Sequence, residues 1–225
     1  MSRPKFSAVL FDCDGVLVDS ESITNAVLRE MLMELGWNIS QEDCIRIFIG
    51  KALKDQWEPI LANTGFRIDE QWIAEFRQRR DVALRENLTA IPGALEAVAQ
   101  VAGLYDNKIA CATGADRTKV EMQLSITKMA PYFGNQVYSG MEYARSKPAP
   151  DVYLAAAAGL DIDPRQAAVV EDTVTGVTAG VAAGATVFGY CPGGPISSTE
   201  EKLLAAGATK VFTNMDQLPG LLTLK

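Results

Sequence analysis

Apolar positions along this 225-residue chain follow two rhythms. Residues 7–11, 108–112, 136–139, 167–170, 186–190 and 210–212 are short runs dominated by apolar residues such as Ala, Val and Ile. Runs of that length suit strands covered on both faces, as in a parallel sheet. Between them, residues 94–101, 116–127, 151–158 and 174–183 have helical character, and Gly159 stops the third. Alternation of this kind predicts a parallel sheet with helices on both sides. The second rhythm fills residues 20–88. Asp19 or Ser20 is placed to N-cap a helix with Glu21 in its first turn. Ile23, Val27 and Met31 fall four apart, and Gly36 ends that helix. The pattern stays helical from residue 40 to 88, with a Ser40–Asp43 capping pattern and breaks at Gly50, at 63–65 and near Asn87. Arg77, Arg79 and Arg80 read as a solvated helix face. The predicted class is α/β: a doubly wound parallel-sheet core formed by residues 1–18 and 89–225, with an all-helical insertion at 19–88.

Composition narrows the chemistry. The chain has 21 Lys and Arg against 28 Asp and Glu, a net charge of −7, and no histidine. A Ser-His-Asp triad, a Cys-His dyad and imidazole metal ligands are therefore excluded. Carboxylates, hydroxyls, thiols and lysines remain. The acidic balance argues against a nucleic-acid partner, which calls for a basic footprint. Cys13, Cys44, Cys111 and Cys191 form no CxxC pair, so a reducing, cytoplasmic setting is expected. The apolar run ending at Phe11 is too short for a membrane span, and neither a targeting signal nor a membrane partner is expected.

In a doubly wound sheet, ligands bind outside the carboxyl ends of the strands. The first run stops at Asp12-Cys13-Asp14-Gly15. In extended chain, side chains 12 and 14 share a face and Cys13 points away. Two carboxylates there suit a hard cation such as Mg²⁺, or one acts as a nucleophile toward phosphorus. An Asp-Gly turn with solvated acids is the competing explanation. The second strand ends at Thr113-Gly114, a hydroxyl and backbone N–H suited to a phosphoryl oxygen, although taken alone plain helix N-terminal capping is the favoured explanation. Lys147 lies in Ser146-Lys147-Pro148-Ala149-Pro150-Asp151, where it would neutralise a phosphoryl group or simply face solvent. Glu171-Asp172-Thr173 follows the run at 167–170. Two adjacent acids at the end of a buried strand are costly without a cation or hydrogen bonds, so a metal site ranks above a solvated loop. Taken in order, these residues form an inventory for phosphoryl transfer.

Together they resemble the haloacid dehalogenase-like (HAD) superfamily, in its phosphatase branch with a helical cap inserted after the first strand. The motifs are Asp12-Cys13-Asp14-Gly15-Val16-Leu17-Val18-Asp19-Ser20, Thr113-Gly114, Ser146-Lys147-Pro148, and Glu171-Asp172-Thr173 followed by Gly176. The resemblance implies an Mg²⁺-dependent phosphatase acting on small phosphorylated metabolites, sugar phosphates in particular, through an aspartyl-phosphate. In it Asp12 is the nucleophile and Asp14 the general acid and base. Thr113, Gly114 and Lys147 bind the phosphoryl group. Asp12, the Asp14 carbonyl and Asp172 hold Mg²⁺, with Glu171 either coordinating it or supporting the site from behind. Gly50 and Lys51 align with a cap segment that contacts substrate in relatives, and the cap is expected to exclude water.

Dehalogenases in this superfamily lack the second Asp, so Asp14 favours phosphate chemistry. Phosphonoacetaldehyde-hydrolase relatives carry Ala there and a cap Schiff-base Lys; Lys51 and Lys54 lie nearby, but Asp14 disfavours that branch. The nearest overall likeness is to β-phosphoglucomutase-like proteins. Those mutases use a cap histidine close to where Thr24 falls, so a hydrolase is expected over a phosphomutase. A phospho-accepting regulatory module is the rival from another class; such modules are shorter and lack an inserted helical unit. A monomer or weak dimer is expected.

Overall fold

The computed structural model of the chain describes residues 3–48, 53–194 and 196–224. The chain divides into two compact units, one comprising Met1–Asp19 with Thr89–Lys225 and the other Ser20–Leu88.

The first unit is built on a six-stranded sheet. Its strands are β2 (Ala8–Phe11), β5 (Ile109–Thr113), β6 (Val137–Ser139), β7 (Ala167–Glu171), β8 (Thr186–Tyr190) and β9 (Lys210–Phe212). They lie in the order β6-β5-β2-β7-β8-β9, and every pairing is parallel. Counted along the chain this is 3-2-1-4-5-6, the doubly wound order whose ligand crevice opens where the strand order reverses. That point lies between β2 and β7, where Phe11 is in register with Val170. Every residue of β2, β5 and β7 is buried, which is why these strands read as unbroken apolar runs.

Helices α5 (Ala94–Leu104), α6 (Arg117–Ile126), α7 (Ala130–Phe133), α8 (Asp151–Gly159), α9 (Val174–Ala182), α10 (Glu200–Ala205) and α11 (Leu218–Leu221) complete this unit. Part of its core joins Leu10, Ala112 and Val169 of the sheet to Tyr153 and Ala156 of α8 and Val177 of α9. Two two-stranded pairings and one isolated bridge were not legible from the apolar pattern. One is a loop closure: β1 (Arg3–Pro4) pairs antiparallel with β10 (Thr223–Leu224). Another is a ribbon: β3 (Val18–Asp19) pairs antiparallel with β4 (Thr89–Ala90), tying together the points where the insertion leaves and rejoins the chain. The third is an isolated bridge between Asp14 and Val18, within the turn that follows β2.

The second unit contains α1 (Glu21–Glu34), α2 (Gln41–Phe48), α3 (Trp57–Thr64) and α4 (Glu70–Asn87). Its core gathers Leu28, Met31 and Leu32 of α1 with Phe48 of α2, Ile60 of α3 and Trp72 and Phe76 of α4. The Ser40 hydroxyl accepts from the Asp43 N–H (3.1 Å) and donates to the Asp43 carboxylate (2.8 Å), which fixes the start of α2. The Asp69 side chain caps α4 through the Trp72 N–H (2.8 Å). The arginine cluster on α4 departs from expectation. Arg77 is exposed and Arg79 partly so, but Arg80 is buried with its guanidinium on the Asp81 carboxylate at 2.7–2.9 Å. Arg80 lies one turn from buried Phe76 and Leu84 and therefore shares the apolar face; its neighbouring carboxylate makes that position tolerable. Among the described residues, no helix is long and apolar enough to cross a membrane.

Candidate active site

β2 ends at Phe11, and the next residues turn sharply. The Cys13 carbonyl accepts from the N–H groups of Val16, Leu17 and Val18, and the Gly15 N–H reaches back to the Val18 carbonyl at 2.9 Å. Gly15 has φ = +78°, a left-handed conformation suited to glycine. A Cβ there would also overlap the Asp172 carboxylate, so the turn needs glycine for both reasons. The chain bends here instead of continuing as a strand, and the side chains of Asp12 and Asp14 take different hydrogen-bond partners.

Asp12 is buried, with its N–H anchored to the Val170 carbonyl of β7 at 3.0 Å. Lys147 Nζ, also shielded from solvent, donates to Asp12 Oδ1 at 2.8 Å. The same ammonium meets the Ala112 carbonyl (3.0 Å), the Tyr153 hydroxyl (3.0 Å) and Glu171 Oε1 (2.7 Å). Lys147 precedes a cis peptide bond to Pro148. Its side chain thus links the ends of β2, β5 and β7. Burial pushes the Asp12 carboxyl up to about 7, against the pull of Lys147, with Glu171 adding to the rise. Burial alone would lower Lys147, but the carboxylates of Asp12 and Glu171 outweigh it and hold the ammonium well above the ordinary lysine range.

Glu171 is completely buried, and both its oxygens are engaged. Oε1 accepts from Lys147 and from the Tyr153 hydroxyl (2.8 Å). Oε2 accepts from the N–H groups of Asp172 (3.1 Å) and Thr173 (3.2 Å) and from the Thr173 hydroxyl (3.1 Å). Thr173 in turn caps α9 by accepting from the Gly176 N–H at 3.0 Å. These bonds offset the cost of burying a carboxylate. Gly176 is required beside it, since a Cβ there would overlap the Glu171 carboxylate. Gly176→Ala is expected to lower stability by about 1–3 kcal/mol, read as a shifted denaturation midpoint. An unshifted midpoint would show that the carboxylate has room to move.

Oxygen atoms of Asp12, Glu171 and Asp172 lie within 4.8 Å of one another. Three carboxylates thus bring hard oxygen donors together, two of them, Asp12 and Glu171, sharing the Lys147 ammonium. That donor chemistry suits a hard divalent cation, and the close Gly15–Asp172 approach leaves the Asp12 loop tight against it. The Asp14 side chain is not part of this group. Lys119 Nζ donates to both Asp14 oxygens (2.8 and 2.9 Å), and Gln123 Nε2 donates to Oδ1 at 2.8 Å.

Thr113 closes β5 and is buried; its hydroxyl accepts from the Ala115 N–H at 3.1 Å within the loop before α6, whose N-cap is Asp116 and not Thr113. A Cβ on Gly114 would meet nothing within 4 Å, so the backbone there borders open space. Gly50 and Lys51 lie outside the described residues. Cys13 is buried, and hydrogen bonding with Cys111 together with burial holds its thiol well above the ordinary range, in keeping with a core role.

Sequence reasoning missed Lys119, Gln123 and Tyr153. Lys119 and Gln123 are four apart on α6, beside buried Val120 and Leu124, so polar residues sit on a helix face otherwise committed to the core. Polar side chains spaced in that way were the available signal.

Known proteins are similar to this chain over most or nearly all of its length. It is 28% identical over 223 residues to the 6-phosphogluconate phosphatase of Escherichia coli (strain K12), covering 98% of this chain and 96% of that protein. It is 30% identical over 192 residues to hexitol phosphatase B of the same strain, covering 81% and 83% respectively. A solved HAD family hydrolase from Deinococcus radiodurans R1, with bound phosphate and sodium, superposes with a TM-score of 0.78 at 32% identity, covering 99% of this chain and 100% of that one. The profile described as "Hydrolase: haloacid dehalogenase-like hydrolase" matches residues 6–184, which include every strand-end motif above, and the chain belongs to that family.

Proposed function

We propose that the chain hydrolyses phosphate monoesters of small metabolites, sugar phosphates foremost, through a phosphorylated Asp12 and with Mg²⁺ as cofactor. The observation that carries this reading is the placement of Asp12 at the switch point, bound by Lys147 through Oδ1 and flanked by Asp172 and Glu171.

Asp12 would attack phosphorus through its second oxygen, forming the aspartyl-phosphate as the ester bond to the leaving oxygen breaks. Asp14 would give that oxygen a proton, releasing the alcohol. It would then take a proton from the water that attacks phosphorus, releasing inorganic phosphate and restoring Asp12. Lys147, the Thr113 hydroxyl and the Gly114 N–H would bind phosphoryl oxygens, placing fixed positive charge and donors where negative charge develops. Asp12, Asp172 and the Asp14 carbonyl would hold Mg²⁺, which supplies Lewis-acid charge stabilisation when bound. The five hydrogen bonds on Glu171 favour a supporting role, fixing Lys147 and the Asp172 loop rather than binding the ion. Gly50 and Lys51 remain candidates for contact with the rest of the substrate. A cytoplasmic enzyme, monomeric or weakly dimeric, with no nucleic-acid or membrane partner, completes the proposal.

A panel of phosphate esters tests it, with 6-phosphogluconate and hexitol phosphates first because of the relatives' names. Phosphate release is expected with Mg²⁺, loss of release in EDTA, and recovery on adding Mg²⁺ back. No turnover across the panel by folded, Mg²⁺-loaded protein would overturn the phosphatase reading. Undiminished turnover in EDTA would overturn the metal requirement.

A further inference from the structure

Asp14 is held by residues outside every motif that identifies the family. Lys119 Nζ bridges both carboxylate oxygens at 2.8 and 2.9 Å, and Gln123 Nε2 adds a third bond at 2.8 Å. Both are distant in sequence, at separations of 105 and 109 residues. Both are also buried, Gln123 completely, so neither is a surface group meeting a carboxylate by chance.

Their own positions are fixed in turn. The Asp116 side chain caps α6 by accepting from the Lys119 N–H at 2.9 Å, which sets the turn that carries Lys119. Gln123 Oε1 accepts from the Cys13 thiol at 3.6 Å, so the amide is oriented with its NH₂ toward Asp14. Cys13 is the residue between Asp12 and Asp14, so one turn of chain and one helix face lock together. The four-residue spacing of Lys119 and Gln123 puts them on the same side of α6.

We propose that Lys119 and Gln123 are positioning residues, holding the Asp14 carboxyl group in the single orientation from which it exchanges a proton with the leaving oxygen and with the attacking water. This rests on the phosphatase reading above. Proton transfer by a placed side chain depends first on geometry, because donor and acceptor must be within hydrogen-bond reach. A carboxyl group on a short side chain in a bent loop has rotational freedom unless neighbours remove it. Three hydrogen bonds from one helix face remove it here.

A double-mutant cycle separates this role from a merely structural one. Lys119→Met and Gln123→Leu would each be made alone and with Asp14→Asn. Turnover of p-nitrophenyl phosphate would be followed at high enzyme concentration with saturating Mg²⁺. Gln123→Leu keeps the side chain's approximate volume and adds no charge, so it carries the test if Lys119→Met fails to fold.

The expected result is a loss in kcat of about tenfold for each single variant, with KM changed less than threefold, out of the roughly 10²–10⁴ that general acid–base catalysis supplies. In the Asp14→Asn background the same substitutions are expected to cost less than twofold. Equal losses in both backgrounds would overturn the proposal, since a scaffold defect lowers activity whether or not Asp14 is present. Full activity in the single variants would overturn it as well. The outcomes remain distinct from failure of the phosphatase reading, in which the unsubstituted protein itself would show no turnover.

Discussion

Asp12→Asn is expected to abolish turnover, lowering kcat by on the order of 10⁵–10⁶, the scale seen when an enzyme loses its covalent nucleophile. The substitution changes one oxygen to an amide and leaves the shape of the site intact. Lys147 keeps the Ala112 carbonyl, the Tyr153 hydroxyl and Glu171 whichever way the new amide turns, and the amide oxygen can still accept from it. The variant should therefore fold, with circular dichroism matching the parent. A chemical readout identifies the step directly. Protein quenched during turnover and treated with hydroxylamine should yield a hydroxamate at residue 12, because the acyl-phosphate carbonyl is open to attack. Asp12→Asn protein should yield none. Undiminished turnover in the variant, or a hydroxamate at another residue, would remove Asp12 as nucleophile.

The placement of Asp12 shows why some of the site was readable from the sequence. β2, β5 and β7 are buried on both faces, so their apolar runs and their ends stand out, and Asp12, Thr113 and Glu171-Asp172 mark those ends. Lys147 belongs to no strand; its Pro-rich surroundings and its place in the motif order drew attention to it. Lys119 and Gln123 gave no such mark. They lie within a helix, and their partner is more than 100 residues away, so only the folded chain shows that their face meets the Asp14 loop. Tyr153 was hidden for a similar reason, as an aromatic on a helix reads as core. It is core, but its hydroxyl also joins Lys147 to Glu171. Arg80 failed in the opposite direction. Its charge suggested solvent, while the helical period carried it to the buried side of α4. The extended-chain reading of Asp12 and Asp14 assumed that the strand continues, whereas the Cys13 carbonyl gathers three N–H groups into a turn.

Lys147→Met is expected to reduce both activity and stability, for separable reasons. The ammonium is the only cation bonded to Asp12 and Glu171 among the described ion pairs. Removing it takes the counter-charge from two buried carboxylates, of which Glu171 keeps only its neutral donors, and breaking a buried pair in this way costs about 3–5 kcal/mol. The loss should appear as a lower urea midpoint in metal-free buffer. Turnover should fall by roughly 10²–10³ or more, the scale for losing one donor placed against developing negative charge. A second substitution separates the two effects. Glu171→Gln in the Lys147→Met background removes one of the uncompensated charges and should recover part of the lost stability, yet activity should stay low because no ammonium remains beside Asp12. A single Lys147→Met variant as stable as the parent would mean that the carboxylates gain little from the pair. Recovery of turnover along with stability in the double variant would mean that Lys147 serves the fold alone, and that the phosphoryl group is neutralised by something other than this lysine.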